Sequence, residues 1–238
     1  MDDGASFLGF LVWYLVFIVA ITFHEAAHAL AALWGGDDTA YMGGQVSLDP
    51  IPHIRREPIG TVLLPIATYF LSGFMLGWAS APYNPVWARR YPHRAALMSA
   101  AGPAANLLLV LLAFLAAKIS LWTGILDAPG RVNFERVLVP VPSLEESHWA
   151  NLLATVLSVG LNLNLLLFLF NLIPLPPLDG SGILAGIGPR GLRRLYDRIQ
   201  EEPWLGLLCL AVAWKLFSYG PFFSLLLKLL HPGHRYGG

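Results

Sequence analysis

Phe23-His24-Glu25-Ala26-Ala27-His28-Ala29 sits near the far end of Phe7–Trp34, a stretch that is otherwise almost wholly apolar. A bilayer-spanning helix needs roughly 20 such residues, so Phe7–Trp34 is long enough to cross. Ionisable side chains at that depth cost about 2.5–3.5 kcal/mol each on insertion scales, and they persist where they have a partner or a task. Histidines four apart project from one face of a helix, where two imidazoles can hold a single Zn²⁺. The glutamate beside the first is positioned to act as general base toward a water activated at the metal. The pattern implies a metal-dependent hydrolase set inside a membrane.

The rest of the chain agrees with that setting. Of 238 residues, 56% are hydrophobic and 13% charged, against roughly 45–50% and 25% in soluble domains. This is the composition of an integral membrane protein, with the lipid bilayer as its first partner. Basic and acidic residues number 15 each, so nothing in the charge balance points to nucleic acid. Cys209 is the single cysteine and lies in an apolar run, which excludes a disulfide or thiolate-metal framework within the chain and reads as packing. Asp2 and Asp3 stand where a cleavable signal would carry basic residues, and Phe7–Trp34 is too long for a signal core, so the first helix is expected to stay.

Apolar runs long enough to span recur at Ala95–Leu121, Ala150–Ile173 and Trp204–Leu230. The last carries Lys215 and the pair Gly220-Pro221, which predicts a kinked span or two shorter pieces. Tyr41–Leu48, with Gly43-Gly44 and alternating apolar residues, reads as a short β-hairpin at the membrane surface. Leu178–Gln200 gathers Arg190, Arg193, Arg194 and Arg198 on a helix at a membrane surface, where its basic face either lies against anionic headgroups or is simply solvated. There is no internal repeat, and the longest polar loop, Lys118–His148, is too short for an accessory domain. Residues 1–238 therefore read as one all-α polytopic membrane domain, a helical bundle with a small hairpin.

Zinc held by two histidines needs a third protein ligand and an open position for water. The candidate is Asp179, at the end of Asn171-Leu-Ile-Pro174-Leu-Pro176-Pro177-Leu-Asp179-Gly180. Unwound backbone within a bilayer is tolerated where protein covers it or where it lines a wet cavity, so this run predicts a polar site at membrane depth. Taken alone, the same prolines also fit a plain helix stop before a loop.

Three motifs together resemble the site-2 proteases, the intramembrane zinc metalloproteases: His24-Glu25-Ala-Ala-His28, Ala101-Gly102-Pro103-Ala-Ala-Asn106 opening a span, and Asn171…Pro174…Leu178-Asp179-Gly180. Their order and spacing cover most of the chain. The resemblance implies one zinc ion per chain on His24, His28 and Asp179, Glu25 as general base, and Asn171 as a polar residue holding substrate backbone. It is closest to compact bacterial members without a PDZ domain, which carry a Gly-Thr-x-Leu-x-Pro segment after the first helix, here Gly60-Thr61-Val-Leu-Leu-Pro65. One departure is Arg55-Arg56-Glu57 ahead of Pro58, where relatives are tighter around Pro52-His53-Ile54. His53 reads as an interfacial or solvated histidine and is not counted among the ligands.

Whether Ile59–Ala79 crosses the bilayer follows from parity. The histidines end the first span and Asp179 follows Ala150–Ile173, so the number of crossings between them must be even if they are to meet. A full span at Ile59–Ala79 would make it odd. That segment, which contains Pro65, Gly73 and Gly77, is therefore expected to enter and leave on one side as a broken helical hairpin. In that topology the site end carries Arg55, Arg56, Arg89, Arg90, Arg94, Arg190, Arg193, Arg194 and Arg198, while the opposite loop has Lys118, Arg131 and Arg136. Positive-inside then turns the site toward the cytoplasm of a bacterial plasma membrane.

The substrate implied is a transmembrane protein or peptide. Its helix must unwind locally before a bond can be cut, and Tyr41–Leu48 is a candidate edge for it to pair with, or else a purely structural hairpin. The rival reading is a membrane metal-binding protein or transporter without hydrolysis; the presence of Glu25, which a binding site does not need, argues against it.

Overall fold

The computed structural model describes residues 7–234; Asp2 and Asp3 lie outside them. The first apolar run forms α1 (Phe7–Trp34). After it come a one-turn α2 (Thr39–Met42) and a short α3 (Pro50–Arg56), the latter opened by Asp49, whose side chain accepts the Ile51 N–H, with Pro50 in the first turn. A π-helical turn, Ile59–Leu63, runs into α4 (Leu64–Ser72). Gly73 stops α4 in the left-handed region at φ 72°, a conformation that favours glycine.

Beyond Gly73 the chain runs back without regular structure from Met75 to Asn84. Trp78 N–H donates to Gly60 O at 3.1 Å, so the return limb lies beside the start of the outgoing one. A Cβ at Gly60 would overlap the Trp78 backbone and ring, and one at Gly77 would overlap Gly60 O and Phe17. Bare backbone at those two positions lets the limbs close.

The hairpin's exit is pinned where α1 ends. Asn84 N–H donates to Asp37 Oδ2 at 2.8 Å. Asn84 then caps α5 (Pro85–Arg90) through the N–H groups of Val86 and Trp87. Trp87 Nε1–H and Arg94 both donate to Gly35 O, at 2.9 and 3.0 Å. The next long helix, α6 (Pro92–Trp122), therefore starts at the end of the bundle where α1 finishes. The Ile59–Ala79 segment leaves from and returns to the end of the bundle where α1 finishes, as parity requires, though its returning limb is irregular rather than helical.

A loop containing the two-residue strands β1 (Leu126–Asp127) and β2 (Val139–Pro140), paired antiparallel, leads to α7 (His148–Asn171). This loop sits at the opposite end of the bundle: Trp13 Nε1–H donates to Glu135 at 2.8 Å, and the Phe134 ring stacks on Trp13. Then follow α8 (Asp179–Ile187), the basic α9 (Arg190–Glu201), α10 (Pro203–Leu216) and α11 (Gly220–Leu230). Helices α10 and α11 meet at 53° across a break just before Gly220-Pro221, where the sequence predicts a kinked span or two shorter pieces. Among the described residues three helices, α1, α6 and α7, are long and apolar enough to cross a bilayer, and the α10–α11 pair makes a fourth crossing if it is one span.

The hairpin expected at Tyr41–Leu48 is not there. Asp37 Oδ1 accepts both the N–H and the hydroxyl of Thr39, which starts a helical turn, and Gly44 at φ 74° ends it. Local side-chain bonding overrides the alternating pattern, as Asp and Thr commonly do at helix starts. The strand pair lies instead in the α6–α7 loop, and the substrate-pairing role proposed for Tyr41–Leu48 loses its edge.

Lipid supplies no hydrophobic drive between helices, so close contact of small residues carries the packing. Ala20, Ala29 and Ala32 on α1 are fully buried. On α8 a Cβ at Gly182 would overlap Ser99, and one at Gly186 would overlap Pro92 O and Ala96. This small face seats α8 against the first turns of α6, beside the end of α1.

Candidate metal centre

His24 and His28, one helical turn apart on α1, bring their Nε2 atoms within 3.0 Å of each other. Asp179, the first residue of α8, meets both: Oδ2 lies 3.1 Å from His24 Nε2 and Oδ1 lies 3.2 Å from His28 Nε2. Among the described residues, these three form the group of His, Cys, Asp or Glu side chains able to hold a metal ion. Both histidines are buried.

The outer nitrogens fix which atoms face inward. His28 Nδ1 lies 2.7 Å from Met98 O, a carbonyl that can only accept, so Nδ1 carries the proton and donates. His24 Nδ1–H donates to Asn106 Oδ1 at 2.6 Å. The Asn106 amide donates to Ala20 O at 3.3 Å and to Asn164 Oδ1 at 2.9 Å, and Asn164 in turn donates to Gly160 O at 2.9 Å. Each step ends on a group that can only accept, which orients every amide in the chain. In the neutral imidazoles both Nε2 atoms therefore present lone pairs.

Asp179 arrives from a helix end built for it. Pro174, Pro176 and Pro177 stop α7, and Leu178 N–H turns back onto Leu175 O at 2.9 Å. Gly180 lets α8 begin against the end of α7, since a Cβ there would overlap the Leu172 and Ile173 carbonyls. Asp179 Oδ2 is shielded from solvent and receives no hydrogen bond, although His24 Nε2 is 3.1 Å away. Lone pairs facing one another at this range repel, and a cation between them reconciles the arrangement. Four-coordinate Zn²⁺ with ligands at about 2.0–2.1 Å sets its donors roughly 3.3–3.4 Å apart, close to the spacings here. Two imidazoles and a carboxylate are a fitting zinc donor set.

Gly102 forms the wall of the pocket. A Cβ there would sit 2.6 Å from His24 Nε2 and would overlap His28 as well. Glu25, next to His24, is 6% exposed and receives no hydrogen bond from any described residue. Asn171 lies outside the donor cluster, at the end of α7, with its amide donating to Leu167 O at 3.0 Å. His53 is also outside it: the ring is buried at 1% exposure, not solvated as its sequence context suggests, with Nε2 3.0 Å from Ser47 O.

Asn106, Asn164, the Met98 carbonyl and Gly102 were not assigned roles from sequence. The signal was present for the asparagines, because an amide inside an apolar span has to find partners. Asn106→Leu removes the acceptor that holds His24. Such outer-shell losses typically cost about 10–100-fold in metal affinity, so equilibrium competition with a zinc chelator is expected to show a weakening of that order while the helix content stays unchanged.

A family model described as Peptidase family M50 matches residues 12–212. The chain is also similar to the Bacillus subtilis (strain 168) protein named "Putative zinc metalloprotease YwhC", at 35% identity over 206 residues, covering 85% of this chain and 81% of that protein. No solved structure matches.

Proposed function

Because the chain belongs to peptidase family M50, metalloproteases of the site-2 type, we propose that it hydrolyses peptide bonds within or near transmembrane segments of membrane-protein substrates. What supports this is the meeting of His24, His28 and Asp179, far apart in sequence, around one point among apolar helices with their lone pairs turned inward. His24, His28 and Asp179 would hold one zinc ion per chain. Bound there, zinc supplies a Lewis acid that polarises the scissile carbonyl and makes water ionisable near neutral pH.

The chain's own groups do the rest. Asn106 and Met98 O keep both imidazoles aimed inward, so no reorganisation is needed at the moment of reaction. Glu25 accepts the proton of the attacking water and passes it to the leaving amine. Asn171 places one amide N–H on Leu167 O, which leaves its oxygen to accept an N–H of unwound substrate backbone. The arginines of the loops after α1 and around α9 turn the site end toward the cytoplasm of a bacterial plasma membrane.

The test is purified protein in lipid bilayers with a single-span peptide. Cleavage should stop when a chelator strips the metal and return with one equivalent of Zn²⁺ per chain. Protein that binds zinc at this stoichiometry yet cuts no membrane peptide would favour a metal-binding protein or transporter instead.

A further inference from the structure

Helix α9 is not used by the reaction, yet it is tied to the segment that delivers Asp179. Arg190, Arg194 and Arg198 recur at four-residue intervals along its exposed side. Leu195, adjacent in sequence to Arg194, and Trp204, at the start of α10, are exposed apolar side chains. Arg193 instead folds inward and donates to Ala185 O of α8 at 3.1 Å. The acidic residues Asp197, Glu201 and Glu202 collect toward the far end, leaving the turns that follow Pro189 positive.

On the inner side, buried Tyr196 donates its hydroxyl hydrogen to Pro174 O at 2.9 Å. Pro174 opens the run that ends at Asp179, and its prolines at 174, 176 and 177 have no N–H to give. Among the described residues, the other hydrogen bonds of Ile173–Leu178 are local turns and the bond that Ser181, in the first turn of α8, donates to Leu178 O, and Tyr196 is the side chain that reaches the run from α9.

We propose that α9 is a binding surface for anionic phospholipid headgroups of the host bilayer, and that Tyr196 is a positioning residue that transmits this contact to the Pro174–Asp179 run. Arginines on the polar side, with exposed apolar residues near them in sequence, match the chemistry of an interfacial helix on an anionic leaflet. Bound headgroups hold α9 down, and the Tyr196 hydroxyl then restrains the carbonyl at the head of the run. The functional meaning of this coupling rests on the protease reading of the same site.

The experiment is hydrogen exchange on the full chain in lipid nanodiscs, comparing phosphatidylcholine alone with discs holding about a third phosphatidylglycerol. The readout is the exchange of peptides covering Leu175–Leu184. In the wild type, anionic lipid is expected to slow exchange on the order of threefold to tenfold. The Arg190→Gln, Arg194→Gln, Arg198→Gln triple variant should lose both that slowing and the anionic lipid retained on purification. Tyr196→Phe should keep the lipid and lose the slowing, with its helix content unchanged. Equal exchange of the wild type in both discs, slowing that survives Tyr196→Phe, or the same protection from soluble inorganic phosphate would each overturn the proposal. None of these readings needs zinc, so a chain that holds no metal defeats the protease reading while the exchange data still judge the lipid coupling.

Discussion

Glu25→Gln protein should retain its zinc and lose peptide cleavage by on the order of 10²–10⁴-fold, the usual worth of a positioned general base. Glutamine has the size and shape of the glutamate it replaces, so the buried position next to His24 stays filled. None of the three metal-facing side chains is altered, nor are Asn106 and Met98 O that orient two of them. What disappears is the ability to take up a proton. Metal content by mass spectrometry and turnover of a membrane peptide on the same preparation separate the two effects. Unchanged turnover would remove Glu25 from the chemistry, while joint loss of metal and turnover would show that Glu25 supports the site rather than the reaction.

Gly102→Ala should be nearly as damaging although it adds one methyl group and touches no donor. Helix propensity alone favours alanine by about 1 kcal/mol in a helix interior. The pocket argues the other way, because the new Cβ would lie 2.6 Å from His24 Nε2 and would overlap His28. The imidazoles cannot swing aside without giving up their bonds to Asn106 and Met98 O, at 2.6 and 2.7 Å. Zinc affinity is expected to fall by about 100-fold or more, at the upper end of what disturbed ligand shells cost, with cleavage falling alongside. Gly160→Ala in α7 is the matched control, since a Cβ there meets nothing within 4 Å. If Gly102→Ala binds zinc as tightly as that control, the close wall is not part of the site.

Much of this site was legible because membrane chemistry makes polar residues conspicuous. His24, Glu25 and His28 stood out against an apolar helix, and Asp179 stood out behind three prolines. Parity then required Ile59–Ala79 to turn back, and the bonds from Asn84 to Asp37 and from Trp87 to Gly35 O carry that topology. Tyr41–Leu48 misled because alternation is a weak signal over so few residues, whereas the deciding feature was the Asp37 carboxylate two positions before Thr39. The hairpin in the α6–α7 loop gave no readable pattern, since two residues pair on each side and one of them is Pro140. His53 looked interfacial in sequence and is buried, because α3, which carries it, packs against α1 and the Ile59–Leu63 turn. The positions of Asn106, Asn164 and Met98 depend on how three helices rotate against each other, which no single segment records.

The donors also differ in when they are made. During translation His24 and His28 emerge in the first helix, and the carboxylate that completes the trio follows only after α6 and α7 have been inserted. A nascent or truncated chain thus carries two imidazoles with nothing opposite them. The order of synthesis therefore leaves the donor set incomplete until α8 has taken its seat.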